Sequence, residues 1–563
     1  MRQLDRGAPL VVLQRDHLLL VRMDDARWPF VRDALRPFAE LMRLGGGFAT
    51  YRLTPLSLWN AAAAGFDAAA VIATLRDLTE AAIIPSTAAF VHETFAHASA
   101  IELRETDGSI ALMSADPELL GTLCERSGLS LPPVTHDSNG RGVVAVAPEQ
   151  RGRLKLAFAA LGYPVRDESR IAEGAHLPFS LRPDAPGLRP YQRESVAAME
   201  RSSGGGVILL PCGAGKTLVG IAAAAHFQSR TLVLCPGRTN AAQWERAFRT
   251  WTNLPPEAVG IFNGSRPRLY PVTIATYQAL TARVHGADLP RHLGTFAEAD
   301  WGLVIYDEAH MLPADGFRLS ASAAMQSRRR LGLTATLIRE DGRETDVFAL
   351  VGPVLFSRPW RELEAQGWIA PACCIEVRVP LAPGWPPPGI ANDATAVALN
   401  PRKDVVVERL LARHRGAATL VIGGHLDLLH RLARRLRLPL ITGDTPTTER
   451  ERLYAAFRAG ETRALIVSSV ANQGVDLPGA TVAIQVSGHF GSRQEEAQRL
   501  GRLLRPNARG TKSVFYTLVT TGTRDVQYAR HRRLFLAEQG YTYTVEDAER
   551  LTLPRNPGYT RNC

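Results

Sequence analysis

Lysine is nearly absent. The 563 residues hold only Lys155, Lys216, Lys403 and Lys512, in a basic complement otherwise made of arginine, so a chemical reason is expected wherever an ammonium is kept. Cysteine is scarce as well: Cys124, Cys212, Cys235, Cys373, Cys374 and Cys563 include no CxxC pair, which excludes the usual zinc framework and leads us to expect thiols in a reducing compartment. No uninterrupted apolar stretch reaches membrane-spanning length. Charges interrupt the N-terminal "MRQLDRGAPLVVLQRDHLLLVRM" before a signal-peptide core forms, so the expectation is a cytoplasmic protein without a membrane partner.

The length exceeds what one hydrophobic core serves, and the 45% hydrophobic content supports several packed domains. The net charge of +11, from 66 basic and 55 acidic residues, suits a nucleic-acid partner and equally an ordinary basic protein.

Residues 1–90 read as a small, largely helical domain after short strands around Leu10–Leu13 and His17–Arg22. Thr54 with Pro55, and Asp67, cap two helices, and Gly65 closes the first. Residues 91–182 are mixed α+β, with a strand in "RGVVAVA" and a helix in "GRLKLAFAALG". The linker "RPDAPGLRP" (182–190) then carries three prolines and a glycine.

Beyond it the runs "GVILL", "TLVLCP", "VTIATY" and "GLVIYDEAH" have the continuous apolar character of parallel strands covered on both faces. A second such block follows Asn400, with "ATLVIGG", "LPLITG", "RALIVSS" and "TVAIQVSG". The fold class is therefore α/β: two tandem domains with mainly parallel sheets, at 183–375 and 400–550. Residues 376–399 form an irregular hinge, since "RVPLAPGWPPPGIAND" has five prolines. A helix and a closing strand follow Arg524, and 551–563 form a loose tail.

"VILLPCGAGKTL" (207–218) explains one of the four lysines. Glycines let backbone amides at a helix N-terminus approach a phosphate. Gly213 and Gly215 would form that cradle, Lys216 would reach the β- and γ-phosphates as a compact point charge, and Thr217 would place its hydroxyl on Mg²⁺. Leu210 stands where the strict P-loop pattern has glycine. Asp307 and Glu308 follow an apolar strand, where one carboxylate can serve the Mg²⁺ shell and the other can orient or deprotonate water; capping of the next helix is the structural alternative. His310 would couple the nucleotide state to neighbouring polar groups. In "GSRQEEAQRLGRLLRP" (491–506), Gln498, Arg502 and Arg505 are spaced to share a helix face, and such arginines can stabilise a transferring phosphoryl group. Arg328, Arg329 and Arg330 read either as a phosphate-binding strip or as a solvated helix end, and Gln243 with Trp244 as part of a strand-binding surface or, for Trp244, as core.

In order, "LRPYQ", "LPCGAGKT", "LCPGRTNAAQW", "ATYQAL", "DEAH", "LGLTATLIREDG", "SSVANQGVDLPGA" and "GSRQEEAQRLGRLLRP" resemble the XPB-type DNA helicases of superfamily 2. The N-terminal "YRLTPLSLWNAAAAG" and "KLAFAALGYPVRD" are also similar to that family. The resemblance implies two RecA-like motor domains, with ATP and Mg²⁺ as cofactors. It sets Arg189, Tyr191 and Gln192 near adenine and wraps Pro211, Cys212, Gly213, Ala214, Gly215, Lys216 and Thr217 around the phosphates. Thr217, Asp307 and Glu308 would serve the metal, with Glu308 acting on water, Gln498 meeting the γ-phosphate or water, and Arg502 and Arg505 as arginine fingers. Thr334, Ala335 and Thr336 would couple hydrolysis to motion, Asp476 would link nucleotide and DNA, and Arg339, Glu340 and Asp341 form the element tied to unwinding.

The implied activity is 3′-to-5′ DNA translocation with strand separation, in DNA repair, on single-stranded, duplex or forked DNA. A nuclease or repair protein is an expected partner, and the protein would be nucleoid-associated when bound to DNA. Two departures are visible. "LAPGWPPPGIANDATAVALNPRK" occupies the place of a thumb-like segment, and Ser469 stands where lysine is common. A duplex translocase without strand separation, an ATP-controlled DNA-binding scaffold and an RNA helicase remain alternatives.

Overall fold

The computed structural model describes residues 9–45, 47–106, 109–169, 173–202, 204–211, 213–282, 291–314, 327–337, 342–369, 371–386, 393–468, 480–487, 513–538 and 542–551. The chain divides into two compact units, residues 1–209 with 216–357 and residues 210–215 with 358–563.

The first unit opens with a four-stranded antiparallel sheet. Val11–Leu13 and Leu18–Arg22, near the expected strands, are joined by Phe48–Arg52 and Glu40–Gly45. The last two make a hairpin that the short alternation in "ELMRLGGGFATYR" conceals. The helices Pro55–Ala63 and Ala68–Thr79 start where the capping residues predict: the Thr54 hydroxyl accepts from the Ser57 amide at 3.1 Å and the Asp67 carboxylate from the Ala70 amide at 2.7 Å. Gly65, at φ +91°, follows the first helix. A five-stranded sheet comes next, in the order Thr135–His136, Gly142–Val146, Ser109–Ser114, Glu102–Thr106, Arg166–Asp167, and the helix Arg151–Ala160 packs into its core through Leu154 and Phe158.

The seven-stranded sheet of this unit is wholly parallel. Its order is Val259–Ile261, Val272–Thr276, Thr231–Cys235, Leu303–Asp307, Arg329–Thr334, Gly205–Leu209, Val354–Ser357. Thr231–Cys235 and Leu303–Asp307 are buried along their whole length, as strands covered on both faces must be. The strand that precedes the glycine-rich loop lies beside Arg329–Thr334, which sets the loop at the carboxyl end of the sheet, where open α/β folds place their ligands.

Arg329–Thr334 corrects both readings of the arginine run. It is neither a phosphate-binding strip nor a helix end. Arg330 is 2% exposed and donates to Asp167, while Arg328 and Arg329 pair with Glu173, and Arg329 also lies 4.6 Å over the Phe227 ring. The carboxylates that claim these arginines come from more than 150 residues earlier, beyond the reach of any local pattern.

The second unit holds another all-parallel sheet, ordered Leu440–Ile441, Ala464–Ser468, Thr419–Gly423, Val482–Gln485, Ser513–Thr520, Ala372–Val379, Thr542–Asp547. Ala372–Val379 pairs along all eight residues with Ser513–Thr520. The sequence division at 375 therefore falls inside a strand, and the irregular stretch begins only after Val379. Glu376, 1% exposed, accepts from Arg533 at 2.8 Å and from the Tyr543 hydroxyl at 2.6 Å, which ties the C-terminal helix and strand to it. Cys124 and Cys235 are thiols. Among the described residues no single helix is long and apolar enough to cross a membrane.

Candidate nucleotide site

Gly205–Leu209 ends and the helix Lys216–Phe227 begins with six residues between them. Two of these, Gly213 at φ +84° and Gly215 at φ +79°, occupy the left-handed region that side chains disfavour. The Ala214 amide donates to the Pro211 carbonyl at 3.2 Å and closes a tight turn. Lys216 and Thr217 open the helix, half-buried. Positive-φ glycines and a tight turn ahead of a helix start are the features expected of a phosphate-binding loop.

Asp307 closes its strand at 8% exposure. The indole of Trp244 donates to its Oδ2 at 2.9 Å, and the Tyr277 hydroxyl donates to its backbone carbonyl at 2.9 Å. Burial, and next the neighbouring Glu308 carboxylate, push the Asp307 acid up to about 6, while the Trp244 bond and the Lys216 charge pull it back. The mutual electrostatic influence puts Lys216 and Asp307 in one neighbourhood. Trp244, 1% exposed, is therefore core and not strand-binding surface, whereas Gln243 beside it is exposed. A Cβ on Gly220, in the helix that Lys216 starts, would lie 2.6 Å from the Trp244 ring, so that helix packs directly on the indole.

Glu308 sits at φ 53°, ψ 54°, a left-handed conformation costly for a non-glycine residue. The bend turns the chain out of the strand, and Glu308 Oε2 lies 3.4 Å from His310 Nδ1. The same nitrogen is 2.8 Å from the Thr334 hydroxyl, which donates to the Thr336 carbonyl at 2.8 Å. With that hydroxyl proton spent, the imidazole Nδ1–H is the donor. His310 thus connects Glu308 to Thr334 and Thr336 at the end of the adjacent strand.

Near the linker, Arg189 precedes the helix Pro190–Arg201. Its amide donates to the Gln192 side-chain oxygen at 2.9 Å and its guanidinium to the Tyr191 hydroxyl at 3.2 Å, with Tyr191 and Gln192 both buried. The three form one local cluster. Sequence reasoning missed Tyr277 and left Trp244 open between a strand-binding surface and core; for Tyr277, an aromatic with a polar tip at the end of the apolar run "VTIATY" is the signal that could have found it. Cys212, Arg339, Glu340, Asp341, Ser469, Asp476, Gln498, Arg502 and Arg505 lie outside the described residues.

Residues 363–553 match the ERCC3/RAD25/XPB C-terminal helicase family, 186–339 the type III restriction enzyme res subunit family, and 11–131 a helicase conserved C-terminal domain family. The DNA 3'-5' helicase XPB of Kineococcus radiotolerans is 46% identical over 552 residues, 96% of this chain and 97% of the relative. The chain belongs to the XPB helicase family. Its namesake in Mycobacterium tuberculosis is 44% identical over 97% of this chain and 99% of that one. A general transcription and DNA repair factor IIH helicase/translocase subunit XPB from Antonospora locustae is 31% identical over 97% and 83%. ATP and Mg²⁺ use is typical of this XPB family. The oxygen donors Thr217, Asp307 and Glu308 suit a hard cation held partly through phosphate, and the glycine turn suits the phosphates.

Proposed function

We propose that this protein is an ATP-dependent DNA helicase or translocase, moving 3′ to 5′ and serving DNA repair from the cytoplasm, with nucleoid association when on DNA. The observation that carries this is near-full-length identity to a DNA 3'-5' helicase XPB. The Lys216, Asp307, Glu308, His310 and Thr334 neighbourhood supports it as a hydrolysis site.

When bound, Mg²⁺ neutralises phosphate charge. Gly213, Gly215 and Lys216 would receive the phosphates, Thr217 and Asp307 would hold the cation, and Trp244 fixes the Asp307 carboxylate. Glu308 orients water and accepts its proton, with His310 relaying the change to Thr334 and Thr336. Arg189, Tyr191 and Gln192 flank adenine. Gln498, Arg502 and Arg505 are assigned to the γ-phosphate and the transferring charge, Asp476 to nucleotide and DNA, and Arg339, Glu340 and Asp341 to strand separation; spacing and family resemblance support these. A nuclease or repair-protein partner is proposed on the same ground.

The test is ATP turnover on single-stranded, duplex, forked and RNA substrates with wild type, Lys216→Ala and Glu308→Gln. Loss of most DNA-stimulated turnover in both variants, with the fold retained, is expected; retained turnover in Glu308→Gln would reject the assignment. Arg505→Ala slows turnover more than it weakens ATP binding. The proline-rich stretch after Val379 favours a second reading, duplex translocation without strand separation. Unwinding of a labelled duplex beside displacement of a triplex strand decides between the two.

A further inference from the structure

Tyr277 is a fully buried phenol whose hydroxyl ends on the backbone of the acidic pair, and the hydrolysis scheme above gives it no task. It follows the strand Val272–Thr276 and opens the short helix Tyr277–Thr281, which the Thr276 hydroxyl caps by accepting from the Ala279 amide at 3.2 Å. That strand is not a neighbour of Leu303–Asp307. Thr231–Cys235 lies between them, so the two stand roughly 10 Å apart at the usual strand spacing. Tyr277 spans this gap past the end of the middle strand and donates to the Asp307 carbonyl at 2.9 Å.

The bond falls where the sheet stops holding the chain. On one side, the ladder with Thr231–Cys235 closes at the Leu234–Tyr306 pair; on the other, the ladder with Arg329–Thr334 runs one residue further, to Leu333–Asp307. Tyr277 reaches the peptide just beyond the shorter ladder, the one that joins Asp307 to Glu308. A peptide is a rigid plane, so its orientation sets φ of the residue that follows. The next peptide sets ψ, and there the Glu308 carbonyl accepts from the Met311 amide at 2.9 Å. Glu308, at φ 53° and ψ 54°, is thus held from both sides in a conformation that persists in a non-glycine residue only where its surroundings enforce it. Turning the Asp307–Glu308 peptide back toward ordinary negative φ takes the carbonyl off the Tyr277 hydroxyl and carries Glu308 from its place 3.4 Å from His310. Burial, and next the Asp307 charge, push the phenol well above its ordinary 10, so it stays a donor.

We propose that Tyr277 is a positioning residue for ATP hydrolysis: by locking the Asp307–Glu308 peptide, its hydroxyl keeps Glu308 in the left-handed conformation from which the carboxylate works on water. The inference rests on the reading of Glu308 as the residue that orients water. Trp244 and Tyr277 then divide one task, the indole fixing the Asp307 side chain and the phenol fixing the backbone behind it. The ring by itself serves the core, in the cluster that includes Ala275, Leu280, Ala309 and Leu312. The hydroxyl is the part that acts on Glu308.

Tyr277→Phe keeps the ring and removes the hydroxyl. The full chain is assayed for DNA-stimulated ATP turnover beside wild type and Glu308→Gln, with the melting temperature and the affinity for a non-hydrolysable ATP analogue measured for each. We expect kcat of Tyr277→Phe to fall about tenfold, while KM and the analogue affinity stay within about twofold of wild type. A kcat at the wild-type level, even with a lowered melting temperature, makes Tyr277 plain core and overturns the proposal, as does a loss confined to KM. Retained turnover in Glu308→Gln is a different failure: it removes the reading of Glu308, and the Tyr277 assignment with it. Should Tyr277→Phe not fold, Tyr277→Met, whose flexible side chain refills the space and also lacks the donor, takes its place under the same criteria.

Discussion

Trp244 donates its indole N–H to Asp307 Oδ2 across 2.9 Å, and both groups are buried. The ring fills the space against the helix that Lys216 starts, while its nitrogen orients a carboxylate at the end of the neighbouring strand. One side chain therefore ties the "LCPGRTNAAQW" element to the DEAH element.

Trp244→Phe keeps an aromatic ring and removes the donor. A buried carboxylate that loses a hydrogen bond costs about 1–3 kcal/mol, so denaturant unfolding should show a loss of that order together with slower ATP turnover. Unchanged turnover would mean that Asp307 is held well enough without the indole.

ATP turnover at limiting ATP should fall on acidification with an apparent midpoint near pH 6. Asp307 is pushed up to about 6 first by burial and then by Glu308, and protonation removes the anion that serves the cation. Raising Mg²⁺ should move the limb to lower pH, and Trp244→Phe should move it higher because the indole bond favours the charged form. A profile flat to pH 5 rejects the assignment.

Gly220→Ala decides between two opposing effects. Relieving a helix-interior glycine gains roughly 0.5–1 kcal/mol, but the new methyl meets the Trp244 ring at 2.6 Å and a Leu333 methyl at 3.1 Å, and overpacking costs typically about 1–3 kcal/mol. The clash should win: the variant melts lower, and combining it with Trp244→Phe costs less than the sum of the two single changes. Simple additivity would contradict the contact.

Lys155→Met tests, through stability, the buried cluster in which Arg151, Lys155 and Arg330 meet Asp167. The Lys155 ammonium is held down to about 7 in the fold, first by burial and then by Arg330, from an ordinary 10.5. Its cost to the folded state is therefore fully present below pH 7 and fades as pH rises toward 10.5. The melting temperature of the variant should exceed wild type most at pH 6, with the gap narrower at pH 9 and closing only toward pH 10.5. A gap independent of pH would show that Lys155 carries no such penalty.

Periodicity and caps made much of this protein legible. Thr54 and Asp67 start helices as their side chains foretell, and the continuous apolar runs before "PCGAGKT" and "DEAH" are interior parallel strands. The glycine turn was readable because positive φ leaves its mark in residue type. Arg328, Arg329 and Arg330 were not: a strand whose charges are neutralised by Asp167 and Glu173 looks, locally, like a basic surface. Trp244 stayed open between surface and core for a related reason, since its partner lies 63 residues away. Ala372–Val379 was obscured by the prolines that follow it.

That last strand has a consequence for biosynthesis. It is the earliest strand of its sheet to leave the ribosome, yet both of its neighbours, Ser513–Thr520 and Thr542–Asp547, are the latest. Until Ser513–Thr520 has been translated, eight residues of "ACCIEVRV" must wait with both hydrogen-bonding edges open. A nascent chain halted anywhere before Thr542 therefore exposes a sticky apolar ribbon, and the C-terminal strand protects this protein from itself as well as completing its fold.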